Sequence, residues 1–506
     1  SSLTTHVRNA AGTGYDSVDR WDLTAAFPDP GDGSTASLAL DQVQQTGLGG
    51  GTAQLPPVKF IGAPMPNRVD GIDDAGPLNK WRVYSILSGS GENLSWDYSA
   101  TDCTPASLPT PQSNTRRCFP VYWTPPGQQA PALHWFHKYV VTQVRRQDLS
   151  GASTQQEITN YTYVDTPAWH YEDSVMTPAK YRTWSQWRGY SHVRTIEGAA
   201  TETRSVTESR YFRGMDGDRA TPTGGTKSVS VADSTGAPVV DHWRLHGQTR
   251  EEVTFNGVGG AEVSGAISDP WLPTTTTASD GARTAMFAGV ASTRTREAVT
   301  SGVRTTTTNT TYDAHGAPVT VEDLGQVSPA LTGDETCART TYVRNTTAWL
   351  MDPVAEAKVT AGLCNVDPAT ATVLTHQRTY YDGASALTTA PTRGNPTKVE
   401  QLVDTPTGKV FRTTASTTVD AHGRPLTVTD AKGRVTTTSY TPATGTPLRQ
   451  VGTTSADPDG AGALTAHTTT QVFDTRWGAP TSSTAPDGTV TDAALDPLGR
   501  VTSVWL

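Results

Sequence analysis

The sequence predicts an all-β fold, an antiparallel repeat sheet that curves into a single wall. Three observations predict it. A short cassette recurs through the C-terminal part, turn residues punctuate the remainder at strand-like intervals, and no stretch carries long helical periodicity. The repeat comes first, because self-similarity at a fixed period decides the architecture before any single element does.

Between Val419 and Val501 the chain reads VDAHGRPLTVTDAKGRVTTTSY and, after a spacer, VFDTRWGAPTSSTAPDGTVTDAALDPLGRV. Each unit has an Asp, usually two variable residues, a Gly, often an Arg, then a run of Thr and Val. The turn positions are Asp420, Gly423 and Arg424; Asp430, Gly433 and Arg434; Asp474 and Gly478; and Asp496, Gly499 and Arg500. One isolated unit lies upstream at Tyr312, Asp313 and Gly316. Gly tolerates positive φ, and an Asp carboxylate bonds the backbone two residues on, so each unit is a turn followed by a β-branched strand. Two units, about 21 residues, make one out-and-back pair.

The strand faces decide what the sheet is for. Leu426-Thr427-Val428-Thr429 alternates apolar and polar, but residues 435–440 (VTTTSY) have no dry face. A sandwich needs an apolar face on every strand. These strands supply it only in part, which predicts one curved sheet whose edges are managed by coiling. Stability then spreads along the ladder. The Arg after several glycines is expected to pair with Asp residues of neighbouring strand ends, at about 0.2–1 kcal/mol per exposed pair.

The units Tyr312-Asp313-Ala314-His315-Gly316, Val419-Asp420-Ala421-His422-Gly423-Arg424, Phe473-Asp474-Thr475-Arg476-Trp477-Gly478 and Leu495-Asp496-Pro497-Leu498-Gly499-Arg500 resemble the YD repeat of Rhs proteins. That family includes bacterial polymorphic toxins, Tc toxin shell subunits and the animal teneurins. The match is strict over the last hundred residues or so and in the Tyr312 unit. Residues 45–70 and 169–194 are similar to segments ahead of the repeats in large secreted bacterial Rhs proteins. The resemblance implies a hollow shell, or cocoon, wound around a cargo polypeptide, with a C-terminal effector domain of the same polypeptide as the enclosed partner. Many toxin-type members end their repeats in a DPxG-bearing core. Asp496-Pro497-Leu498-Gly499 has those letters within an ordinary cassette. The expectation is therefore a truncated shell segment, without closing core or toxin domain and without enzymatic activity.

Taken in order, residues 1–100 read as short strands between turn clusters at 29–33, 49–51 and 73–76. Residues 102–128 read as a Pro- and Ser-rich loop, and 133–144 (LHWFHKYVVTQV) as one aromatic strand. Thr177-Pro178 is expected to open a short helix with Thr177 as N-cap. The rings Trp169, Tyr171, Tyr181, Trp184, Trp187 and Tyr190 form a cluster, read as a packed brace on the sheet. The sharper alternative makes Trp169, Trp184, Trp187 and Tyr190 a surface for a cell-surface glycan or receptor. Strands become regular from residue 201, and an irregular insertion containing Trp349 interrupts them. The expected division is an N-terminal β-rich region over 1–200 and a repeat shell over 201–506, with one continuous sheet across the line as the alternative.

Composition sets outer bounds. A net charge of −9 over 506 residues lacks the concentrated basic face of a nucleic-acid binder. No run approaches the ~18 apolar residues of a membrane span. Four cysteines fall into two local pairs, Cys103 with Cys118 and Cys337 with Cys364; local disulfides and an oxidising, secreted setting are expected, against four free thiols as the alternative.

No cofactor motif appears. His134 and His137 are spaced for opposite faces of a strand, His242 and His246 lack an HExxH context, and His315 and His422 sit in turns. Acidic turns at Asp70/Asp73/Asp74, Asp216/Asp218 and Asp457/Asp459 suit calcium less well than plain β-turns. The leading reading is a shell segment that encloses and delivers an effector. An adhesion or glycan-binding repeat protein is the alternative. A propeller or β-helix enzyme needs a blade period of about 40–50 residues, which is not found.

Overall fold

The computed structural model describes the chain except residues 10, 152–155, 200–202, 274–275, 278–283, 446 and 460–464. Twenty-eight strands form one sheet. It is an antiparallel meander in which each strand pairs with the next, from Ser2–Arg8 to Val501–Trp505. His192–Glu197 pairs with Ser205–Tyr211, so the ladder runs unbroken past residue 200, while residues 200–202 lie outside the described residues.

Successive connections of a meander fall alternately on its two ends, which gives the sheet two unlike rims. One rim has short turns, such as residues 88–91, 300–301 and 406–407. The other carries the long connections 27–38, 66–79, 99–140, 164–191 and 212–248 early in the chain, then the Asp-Gly turns at 313–317, 420–424, 474–479 and 496–500. The first is called here the plain rim, the second the cap rim.

The two ends of the ladder meet. The plain-rim loop after Ala39–Gly47 seats on the cap-rim turn between Val490–Leu495 and Val501–Trp505: Gly49 N–H donates to Pro497 O at 3.2 Å. The approach requires glycine. A Cβ on Gly47 would fall inside the van der Waals radius of the Pro497 carbonyl, and one on Gly49 would lie 3.0 Å from Trp477 Nε1. Contact of one rim with the opposite rim means that the sheet winds as a spiral, the end of the circuit stacked against its beginning.

The space inside is not filled by the wall. Among the described residues, the ladder strands with extensive packing are ladder neighbours. The accessible surface is 27877 Å². A compact monomer of this mass would expose about 18,000 Å². The excess is the signature of a wall wetted on both sides. At a strand spacing of about 4.8 Å, 28 strands give roughly 130 Å of wall, which curled once spans about 40 Å.

Among the described residues, buried apolar side chains gather into two small clusters in the cap connections. Val69, Cys103, Cys118 and Trp135 form one; Phe212, Val231 and Leu245 form another. The Cys103–Cys118 and Cys337–Cys364 disulfides are both formed, closing separations of 15 and 27 residues. Replacing Cys103 and Cys118 with Ser is expected to cost about 3 kcal/mol on the chain-entropy account. Denaturant unfolding followed by cap tryptophan fluorescence measures it.

Three local expectations need correction. Residues 133–144 are two strands, Ala132–His137 and Val141–Asp148, because the first pairs with Cys118–Trp123 in the cap and the second joins the wall. The loop expected over 102–128 contains two 3-10 turns and the strand Cys118–Trp123. The helix expected at 177 is a single 3-10 turn, Ala179–Tyr181, with Pro178 at its N-cap.

Candidate functional site: a capped rim and a charged face

The cap-rim turns share one geometry. Asp420 Oδ1 accepts the N–H groups of His422 and Arg424 at 2.8 and 3.0 Å, and Gly423 takes φ +79°. Asp496 does the same with Leu498 and Arg500, and on the plain rim Asp430 does so with Lys432 and Arg434. Gly433 and Gly499 lie in the same left-handed region, as do Gly316 and Gly478. The arginines differ from expectation. Arg424, Arg434 and Arg500 pair with the Asp four residues earlier in their own turn, because the turn folds the guanidinium back onto that carboxylate. Asp474 is held by Arg476 in the same way. Asp313, followed by Ala317 instead of Arg, takes Arg344 from the next cap-rim turn at 2.6 Å.

These contacts carry a pH dependence. The Arg434 and Arg500 guanidinium groups hold Asp430 and Asp496 below the usual carboxylate range, and Arg476 does so for Asp474. At Asp420 burial pulls upward, and the backbone N–H and guanidinium of Arg424 outweigh it. A carboxyl with a depressed folded pKa stabilises above its unfolded pKa and loses that contribution as pH falls through the folded value. The opening equilibrium of the hairpins at 420–500, read from hydrogen exchange after division by the intrinsic amide rate at each pH, is thus expected to stay flat above about pH 5 and to rise between about pH 4 and 2. In the variant with Asp420, Asp430, Asp474 and Asp496 all changed to Asn, that acid step is expected to shrink.

The tyrosines ahead of cap-rim turns explain the other half of the motif. Tyr312 donates its hydroxyl to Val290 O at 2.8 Å, at the start of the preceding strand. Tyr342, Tyr381 and Tyr440 make the equivalent bond to Pro318, Val354 and Pro425, each at 3.0 Å. Tyr98 and Tyr163 bond Val83 and Val141 at 2.8 Å. Each hydroxyl ties the end of one strand to the start of the strand before it. Of these six, only Tyr312 is among the repeat-turn positions assigned from the sequence, which also sees an imperfect restart of the repeat at Tyr380-Tyr381-Asp382-Gly383.

Directly paired residues of adjacent strands point to the same side, and the register carries one face from Asp97 to Glu400. That face is charged, and its charges satisfy one another. Arg145 meets Asp97 at 2.7 Å, His192 meets Glu208 at 3.0 Å, and Glu251 joins Arg210 and Arg296 at 2.9 and 3.0 Å. Farther along, Glu356 holds Arg378 at 2.8 Å and His376 at 3.1 Å, and Glu400 holds Lys398 at 2.9 Å. Such a ladder pins register and offers few unpaired ions.

The cap is built by interlocking connections. Arg68, fully buried, donates to Asp73 at 2.5 Å and to His134 Nδ1 at 2.9 Å, joining 66–79 to 99–140. Burial, and then the Arg68 charge, hold His134 below the usual histidine range, so its Nδ1 stays an acceptor. Trp169 Nε1 donates to Arg116 O at 2.8 Å, and its ring stacks on Phe119 at 4.8 Å, joining 164–191 to 99–140. Trp184 Nε1 donates to Arg219 O at 3.0 Å, which brings in 212–248. Trp169, Trp184 and Tyr190 are buried, and Trp187 is half-buried between Trp169 and Tyr190. These four rings pack the cap from within.

The acidic turns are engaged by the protein itself. Asp73 holds Arg68, Asp216 accepts Val229 N–H at 2.9 Å, and Asp218 holds Lys227 at 2.7 Å. Gly460, beside Asp459, lies outside the described residues. Among the described residues, no group of three or more His, Cys, Asp or Glu is placed to hold a metal ion.

No family model matches this chain, and no curated protein matches it. Solved structures do. The crystal structure of TcdB2-TccC3-Cdc42 is similar with a TM-score of 0.56 and 13% identity, over 95% of this chain and 28% of that one. TcdB2-TccC3-TEV gives 0.55 and 13% over 95% and 28%, and TcdB2-TccC3 gives 0.56 and 12% over 95% and 29%. This chain thus spans under a third of those chains. At such identity the likeness is one of fold, and it extends over nearly the whole of this chain's sheet.

Proposed function

We propose that this chain is a wall segment of a secreted Rhs-type shell, whose YD-repeat strands wind around a polypeptide cargo, the C-terminal effector of the same polypeptide. One observation carries the reading: the end of the ladder returns to its beginning at Gly49 and Pro497, around space that the wall leaves unfilled. The fold shared with the TcdB2-TccC3 chains supports it, as do two disulfides suited to an oxidising compartment. A wall whose ionic groups pair with each other contributes containment, and reactivity belongs to the cargo. The inward commitment of Trp169, Trp184 and Tyr190 weighs against adhesion through that cluster.

The test is limited proteolysis of the full-length gene product. Sequence downstream of the shell is expected to resist a protease that digests it rapidly when expressed alone. Equal digestion in both contexts would refute enclosure.

A further inference from the structure

We propose that Arg82 and Lys138, where the cap joins the wall, form a binding site for an oxyanion, the carboxylate or phosphate group of a ligand. This site is independent of any enclosed cargo. Arg82 belongs to the wall strand Lys80–Leu87, and Lys138 follows the cap strand Ala132–His137. Three cap connections brace the pair. Lys138 N–H donates to Arg117 O at 2.7 Å, within 99–140. Tyr139, next in the chain, donates its hydroxyl to Pro66 O at 2.7 Å and carries the Arg82 guanidinium over its ring at 4.8 Å. Arg82 Nη2 donates to Asn67 Oδ1 at 2.9 Å. The Lys138 ammonium lies 5.6 Å from the ring of Trp187, in connection 164–191. A ring face offers a cation about 0.5–2 kcal/mol, but it carries no net charge.

What the pair lacks is negative charge. Elsewhere half-buried cations hold carboxylates: Arg210 and Arg296 meet Glu251, Lys227 meets Asp218, and Lys398 meets Glu400. Arg82 and Lys138 are half-buried too. Yet among the described residues neither meets a carboxylate, and the Lys138 ammonium meets no hydrogen-bond acceptor. Arg82 Nε and Nδ1 of the buried His137 also lack partners there. Burial, then the Arg82 charge, hold Lys138 below the usual lysine range, so the two cations act on each other with no counter-ion. Asp102, the carboxylate that acts on His137, is engaged: it accepts the Arg117 N–H at 3.0 Å and pairs with that guanidinium at 3.7 Å. A charge withdrawn from water without a partner is costly. A cationic ligand would be repelled, and a neutral one would leave both charges uncompensated. An oxyanion supplies the missing charge and accepts from ammonium and guanidinium alike.

The test is calorimetric titration of the intact chain with sodium phosphate and, separately, with sodium glutarate, in chloride buffer at constant ionic strength. Saturable binding of at least one anion is expected, weakened at least about tenfold in Lys138→Met and in Arg82→Met. It should be unchanged in Lys59→Met, which removes an exposed lysine of the wall. Glutarate bound more tightly than phosphate points to a carboxylate-bearing ligand, and the reverse to a phosphorylated one. Lys138→Met removes an unpaired charge and keeps an aliphatic stem beside Trp187, so without anion its urea midpoint should match or exceed that of the unmodified chain. No saturable binding of either anion, affinity unchanged in Lys138→Met, or a lowered midpoint in that anion-free variant would overturn the proposal.

Discussion

Gly47→Val is expected to part the end of the spiral from its beginning. The new side chain meets the backbone carbonyl of Pro497, which no rotamer change can move aside. Overpacking of this kind costs about 1–3 kcal/mol, and here it acts on a seam that few contacts hold. Gly49 N–H would lose Pro497 O, and the Trp477 ring, packed against Gly49 and Gly499, would lose its seat. Hydrogen exchange should accelerate at 47–51 and 474–500 and stay unchanged in the cap. Gly76→Ala, at a site with nothing within 4 Å, is the matched control and should alter neither region.

Arg250→Ala is expected to be the most destabilising single substitution, at about 3–5 kcal/mol. Arg250 and Asp233 are both fully buried and meet at 2.8 Å. The same guanidinium reaches Asp269 at 2.6 Å and Ser268 O at 2.8 Å. Arg250 occupies the bulge between the register pairs Arg210–Glu251 and Tyr211–Thr249, which turns it onto the same side as Asp269. The pair fastens connection 212–248 to the wall, so its loss leaves the buried Asp233 carboxylate with only the more distant Arg294, at 3.5 Å, as a cation. Urea unfolding of Arg250→Ala, Asp233→Ala and the double variant forms a cycle. The double variant should lose less than the sum of the singles.

What could be read in advance follows from sequence distance. The turns were legible because Asp and Gly act within a few residues of one another, as Asp420 and Gly423 do, whereas the pairing of Arg424 inside its own turn was not foreseen. The disulfides were legible because each closes a short loop. The tyrosine ties were half legible: Tyr312 marks the motif, but its partner Val290 lies 22 residues earlier with nothing in its identity to mark it. The cap was not legible. Arg68 and His134 are 66 residues apart, and a lone Arg in a polar turn gives no sign of full burial. The seam was least legible, since Gly47 and Pro497 belong to opposite ends of the chain and a glycine-rich loop ordinarily signals only a turn. Trp349 was noticed as part of an irregular insertion, but its exposure depends on a backbone conformation that composition does not reveal.

The central claim is that the sheet winds around unfilled space, and small-angle scattering of the isolated chain tests it most directly. A solid globule of 506 residues would have a radius of gyration of about 23 Å. A wall of the same mass around a lumen places that mass farther from the centre. The expected result is a radius clearly above that value, with a pair-distance distribution skewed to long vectors. A radius near 23 Å with a symmetric distribution would contradict the winding and the enclosing role built on it.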